Sequence, residues 1–266
     1  MSHYIPPDAA RWTGRVDDLE DRDSFRWHQV VERLDLSAPA DQLAMQTPRG
    51  FCLLGYCCDQ GVELNLGRVG AALGPQAIRS QLANLPVNFP MAIGLYDGGD
   101  VHCQDGDVEG TQKALAEAVK KVLSAGLFPV VLGGGHDVAF GHYLGIIEHL
   151  PPSTSLGILN FDAHLDLRPL RPAATSGTMF TQIAAATKGA RHAIPPMLRF
   201  PNAESGTLSD PLRAPVFSTT RLLGARVGGA PYGLVLRRMD GLFWRSNARA
   251  RDDLYFHEPH SPCVGK

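Results

Sequence analysis

No apolar run in these 266 residues approaches the roughly 20 needed for a membrane helix, and residues 1–14 lack the apolar stretch of a secretory leader. A membrane anchor is therefore set aside, and the expected compartment is the cytoplasm. Cysteine is sparse: Cys52, Cys57, Cys58, Cys103 and Cys263 form no CxxC pair and no even set, which excludes a disulfide framework and favours reduced thiols. Excess charge is missing too. A net charge of −2 argues against a nucleic-acid-binding surface. What is present is ordinary for a water-soluble chain, 44% hydrophobic and 20% charged residues, in a length sufficient for one large α/β domain.

The middle of the chain alternates apolar runs with helical patterns. Strands are expected at Phe51–Cys57, Met91–Tyr96, Phe128–Leu132 and Leu156–Phe161. Asp97-Gly98-Gly99-Asp100-Val101 reads as the segment that follows the second of these strands. Helices are expected from Pro75 to Leu85, where proline suits the first turn, and from an Asp107 cap to Ser124, closed by Gly126. A further helix follows Asp137 and stops before Pro151-Pro152, and another begins at Met179. Near-continuous apolar strands separated by helices predict a three-layer α/β/α fold with a mostly parallel sheet. Residues 1–49 are polar and irregular, with a short helix expected over Phe25–Leu36. They read as an arm lying over the domain or against a neighbouring subunit.

Two motifs follow two of those strands. Gly133-Gly134-Gly135-His136-Asp137 comes after Phe128–Leu132, and Asp162-Ala163-His164-Leu165-Asp166 comes after Leu156–Phe161. Ligands of parallel sheets gather at the carboxyl ends of the strands, so two neighbouring strands would present His136, Asp162, His164 and Asp166 at one edge. Clustered carboxylates and imidazoles beyond a buried strand are unfavourable unless paired. Imidazole and carboxylate donors without thiolates suit a divalent metal, Mn²⁺ before Zn²⁺ or Fe²⁺. His142 and His149, on the intervening helix, read as packing or surface residues.

At these motifs the chain resembles the ureohydrolases, the arginase and agmatinase superfamily, whose first two signatures are GGGH[DES] and DAHxD. It is most similar to the formimidoylglutamase branch, on three further stretches: Gly61 to Arg79, Phe161–Pro169, and Ser176–Phe180. The likeness is read from about residue 50 to about 186. It implies an arginase-like fold, two Mn²⁺ ions, a small-molecule amidine substrate and often a homo-oligomer. Carried over residue by residue, His136 and Asp166 bind one metal, His164 the other, and Asp162 bridges them, with Asp166 also orienting the attacking hydroxide. The resemblance places Asn65, Arg68, Ser176 and Gly177 at the substrate. Arg68 offers a guanidinium for a substrate carboxylate. Ser176 stands where arginases and agmatinases carry a histidine, which sets this chain apart from them.

The pattern breaks near residue 187. The last 80 residues hold 10 of the 20 arginines, only Lys188 and Lys266 as lysines, and recurrent prolines. They read as a divergent, disordered tail, with Val216-Phe217 and Leu234–Leu236 as weak strands. The family's third signature, S-x-D-x-D-x-x-D-P, supplies two more ligands, yet no Asp-x-Asp follows Asp166. This suggests a reading frame disrupted near residue 190 and missing C-terminal strands. One Mn²⁺ or none is expected. Three readings stand: an impaired formimidoylglutamase, an agmatinase-like amidine hydrolase, and an inactive metal-binding remnant.

Overall fold

The computed structural model describes residues 2–43, 50–152, 154, 156–162, 164–170 and 172–187, with short strands at 198–199, 225–227, 230–232 and 234–237. The strands are β1 (Tyr4–Ile5), β2 (Glu32–Arg33), β3 (Gly50–Cys57), β4 (Gly94–His102), β5 (Phe128–Leu132), β6 (Ile158–Phe161), β7 (Leu198–Arg199), β8 (Ala225–Val227), β9 (Ala230–Tyr232) and β10 (Leu234–Arg237). The helices are α1 (Trp27–Val30), α2 (Ala40–Leu43), α3 (Gln60–Leu64), α4 (Gly74–Leu82), α5 (Val108–Ser124), α6 (Val138–His149) and α7 (Met179–Thr187). Asp107 caps α5 by accepting from the Gly110 amide at 2.8 Å, and Gly126 takes the left-handed conformation expected of it, at φ 79°.

β3 is the central strand, and its alternation makes the layers. Cys52, Leu54 and Tyr56 enter a core shared with α5, α6 and α7, while Leu53 enters a second core with Trp12, Ala83, Leu95 and Leu132. Burial on both faces explains why the strand reads as an unbroken apolar run. Helix α6 lies close on α5 because Gly141 and Gly145 face it. A Cβ at either would stand 2.7 Å from the Gln112 carbonyl oxygen or 2.6 Å from that of Ala116. The layered α/β fold with parallel β2–β4, β4–β3 and β3–β5 pairs is as expected.

Three details differ from the sequence reading. First, β5 and β6 are not ladder neighbours. β5 pairs with β3, whereas β6 lies between β10 and β7 in a separate parallel sheet. The carboxyl ends of β5 and β6 still come close enough for their side chains to meet. Second, β4 is displaced: it starts at Gly94, and Asp97 to Val101 form its interior instead of a following loop. The strand continues through Asp97 and Asp100 because both aspartates are neutralised inside the protein. Arg79 of α4, fully buried, donates to Asp97 at 2.8 Å and to Asp100 at 2.6 Å. Arg11 also pairs with Asp100, and the Trp12 indole donates to Asp97 at 2.7 Å. Third, Phe25–Leu36 is not one helix: α1 spans Trp27–Val30 and β2 follows it. The arm is held by strand pairing, β1 antiparallel and β2 parallel to β4. The expectations for Val216-Phe217 and for most of residues 188–266 lie outside the described residues. The backbone at Leu234–Arg237 does pair with β6.

Candidate metal centre

The first half of the site is set by how β5 ends. None of Gly133, Gly134 and Gly135 has a positive φ, so their value is close approach and not left-handed freedom. A Cβ at Gly134 would lie 2.2 Å from the Cys58 carbonyl oxygen, and one at Gly135 would lie 2.4 Å from the Asp137 carboxylate. This crowding turns the chain so that α6 begins at once, with His136 just ahead of it. Beneath His136, the carboxyl of Asp137 is fully buried and accepts from the Tyr56 hydroxyl at 2.5 Å. Burial pushes the Asp137 carboxyl up, because ionisation there forfeits hydration.

β6 supplies the second half. The Nδ1 atom of His136 lies 2.8 Å from Asp166 Oδ2 and 3.2 Å from Asp162 Oδ2. One donor atom from each of the three residues falls within 4.8 Å of the others. Burial opposes a charge on His136, but hydrogen bonds to Asp162 and Asp166 prevail and push its pKa up to about 9. The hydrogen bond from His136 in turn holds the Asp162 carboxyl well below the usual range. A proton on His136 thus lies between two carboxylates, where a divalent ion would sit. Among the described residues the buried Nε2 of His136 has no hydrogen-bond partner, and the ring's polar contacts run through Nδ1. Phe180 meets the ring edge to face, with centroids 6.3 Å apart. Asp166 has φ 46°, a left-handed conformation uncommon outside glycine and often found at functional sites. The donor set and its charge fit a divalent cation.

His164 stands apart from this cluster. Its side chain is largely exposed, and its Nδ1 lies 3.3 Å from the other oxygen of Asp162, which also accepts the His164 amide at 2.9 Å. Asp162 therefore has one imidazole at each oxygen. Around the mouth, the Ser176 amide donates to the Gly61 carbonyl at 2.9 Å, and a Cβ at Gly177 would stand 3.0 Å from Asn65 Oδ1. Asn65, Ser176 and Gly177 thus adjoin, while Arg68 is exposed on the same loop. A second trio, Cys57, Asp100 and His102, also converges within 4.8 Å. There Asp100 already faces Arg79 and Arg11, whose cations repel a metal ion. Sequence reasoning missed the buried polar residues behind the site, Tyr56, Gln112 and Gln182, and the pairing of Arg79 with the aspartates inside β4. Each sits inside an apolar strand or helix pattern, and only its polarity at an inward position could have signalled it.

Fold and donor geometry together define an α/β protein with a carboxylate–imidazole cluster suited to a divalent cation at the ends of parallel strands. Residues 49–199 match the Arginase family. Formimidoylglutamase of Geobacillus thermodenitrificans is 47% identical over 180 residues, covering 68% of this chain and 55% of that protein. Formimidoylglutamase of Hahella chejuensis is 40% identical over 247 residues, covering 90% of this chain and 71% of that protein. Among solved structures, formimidoylglutamase from Bacillus subtilis superposes with a TM-score of 0.50 at 21% identity, covering 67% of this chain and 54% of that one. The last likeness concerns the fold alone. The chain belongs to the arginase family, and its curated relatives include formimidoylglutamases. It spans little more than half the length of the Geobacillus proteins. The likeness also reaches beyond residues 50–186, since a match to 90% of the chain extends well past residue 187.

Proposed function

We propose that this chain is a formimidoylglutamase-type hydrolase, splitting N-formimidoyl-L-glutamate with water into L-glutamate and formamide. The observation that carries this reading is the convergence of His136, Asp162 and Asp166 within 4.8 Å, on a chain 47% identical to a formimidoylglutamase over 180 residues. Mn²⁺ is the proposed metal, held by His136, Asp162 and Asp166, with His164 and the second oxygen of Asp162 facing a further position. Such an ion, when bound, polarises the amidine and makes hydroxide available near neutral pH. The protein's own part is to place groups. Asp166 orients the attacking water and accepts its proton, and Asp162 holds both imidazoles. Asn65, Ser176 and Gly177 line the substrate, and Arg68 on its exposed loop reaches a substrate carboxylate.

Among the described residues three donors converge on the Oδ2 side of Asp162 and His164 alone faces its Oδ1, which favours one ion instead of two and reduced turnover. It equally supports a second reading, a metal-binding member without turnover. We further propose residues 1–49 as an arm, 50–186 as the site-bearing domain and 187–266 as a divergent tail, acting in the cytoplasm as a homo-oligomer. No helix among the described residues is long and apolar enough to cross a membrane. The test is formamide release from N-formimidoyl-L-glutamate during Mn²⁺ titration, beside Mn²⁺ binding followed by electron paramagnetic resonance. Release abolished by His136→Ala supports the hydrolase. Binding without release selects the second reading, and no binding overturns both.

A further inference from the structure

A row of buried polar side chains runs behind the site. Tyr56 and Asp137 are fully buried, and Gln112, Thr178 and Gln182 are at most 6% exposed. They come from β3, the start of α6, α5, the turn before α7, and α7 itself. The Gln112 Nε2 donates to the Asp137 main-chain carbonyl at 3.0 Å. The Gln182 Nε2 donates to Gln112 Oε1 at 3.1 Å. The single proton of the Thr178 hydroxyl faces two acceptors, the Thr175 carbonyl at 3.0 Å and Gln182 Oε1 at 3.4 Å. That same hydroxyl oxygen accepts the Thr175 amide at 2.9 Å.

The direction of this chain of bonds is forced. A main-chain carbonyl only accepts, so Gln112 must turn its NH₂ toward Asp137. Its oxygen then needs a donor, which obliges Gln182 to present NH₂ in turn and leaves the Gln182 oxygen facing the Thr178 hydroxyl. Reversing Gln112 would set its oxygen against the Asp137 carbonyl and its NH₂ against that of Gln182, and reversing Gln182 would oppose two amide oxygens, so either change leaves buried groups unpaired. The two ends of the row are the turn that carries His136 and the Ser176–Gly177–Thr178 turn.

We propose that Gln112 and Gln182 are positioning residues forming one directional relay that locks the Ser176–Thr178 turn to the His136 turn. The proposal rests on the metal reading of His136 only for its affinity readout. Hydrogen exchange of the Thr175–Thr178 amides reports on the relay without any metal.

The experiment compares Gln112→Met, Gln182→Met, the double variant and Gln112→Glu with the unaltered chain. Leu115→Ala, a buried α5 change outside the relay, controls for general destabilisation. Each single methionine variant is expected to exchange the Thr175–Thr178 amides at least about tenfold faster. Each should also weaken Mn²⁺ binding roughly 10–100-fold, the loss typical of supporting residues behind metal ligands. The double variant should match the singles within about twofold, because a relay cut once is already broken. Gln112→Glu should behave like Gln112→Met, since a carboxylate cannot donate to the Asp137 carbonyl. Leu115→Ala should show neither local effect. The proposal is overturned if the single effects multiply in the double variant, if Gln112→Glu is indistinguishable from the parent, or if Leu115→Ala reproduces both changes. Should the parent itself bind no Mn²⁺, the metal reading fails while the exchange pattern still decides the relay.

Discussion

Replacing Arg79 by methionine tests how β4 tolerates aspartates in its interior. The guanidinium is wholly buried and donates to Asp97 at 2.8 Å, to Asp100 at 2.6 Å and to the Gly99 carbonyl at 3.0 Å, with both carboxylates 1% exposed. Methionine fills much of the volume but carries no charge. Asp100 would keep Arg11. Asp97 would keep only the Trp12 indole and the Gly99 amide, which is an uncompensated carboxylate in the core. Breaking a buried pair by removing one partner typically costs about 3–5 kcal/mol. That is a large share of the roughly 5–15 kcal/mol that holds a domain folded. Urea unfolding followed by circular dichroism at pH 7 should register it, with a melting temperature lower by roughly 10 °C. Arg79→Lys should fall between, because one ammonium cannot reproduce the two-armed contact. Arg79→Met with Asp97→Asn should recover part of the loss. An Arg79→Met chain within about 1 kcal/mol of the parent would refute the account, as would a double variant worse than the single.

Three further outcomes follow from the geometry. Gly133→Ala should be nearly neutral, since its Cβ would meet only Val138 at 3.7 Å, whereas Gly134→Ala drives a methyl into two main-chain oxygens of β3 and its exit. The second change should cost at least about 1–3 kcal/mol in chemical denaturation, and equal effects would contradict the close-approach argument. His142 lies in an apolar surround, and burial lowers its pKa from 6.5 to about 4. As pH falls, the unfolded chain is protonated near 6.5 and the folded one only near 4, so stability is complete above 6.5 and declines toward 4. At about 1.4 kcal/mol per pH unit the loss reaches about 3 kcal/mol, and His142→Leu should flatten that part of the unfolding profile. Leu66 has φ 60° and is 95% exposed, so Leu66→Asn should raise the melting temperature by relieving about 1 kcal/mol of strain without losing packing.

The legible parts of the fold were those where one physical signal dominates. β3, β5, α5 and α6 follow from apolar periodicity and caps, and the convergence of His136 with Asp162 and Asp166 follows from their place at strand ends. Residues whose partners are distant in sequence were misread. The sequence reading ends β4 at Tyr96, because charged Asp97 and Asp100 belong in its interior only once Arg79 and Arg11 are brought beside them by folding. Gly133 to Gly135 mark a tight turn in the sequence, but which of them must be glycine depends on β3 passing within contact distance of Gly134. The separation of β5 from β6 also could not be read, because strand order is a global property that no local pattern encodes.

The asymmetry of Asp162 sets a limit on what the proposed centre can hold. Among the described residues, His136 Nδ1 at 3.2 Å and, beyond it, Asp166 stand on its Oδ2 side, and on its Oδ1 side only His164 Nδ1 at 3.3 Å, on a side chain 72% exposed. The first position offers three protein donors with two negative charges. The second offers, among the described residues, an imidazole and a shared carboxylate oxygen. Manganese favours carboxylate oxygen and a full coordination sphere, so the two positions should differ widely in affinity. Calorimetric titration should therefore show one Mn²⁺ per chain. His164→Ala should leave that event nearly unchanged, Asp166→Asn should weaken it strongly, and Asp162→Asn should abolish it. Two equivalents of equal affinity, or loss of the first ion on changing His164 alone, would mean that the site is completed by donors other than these four.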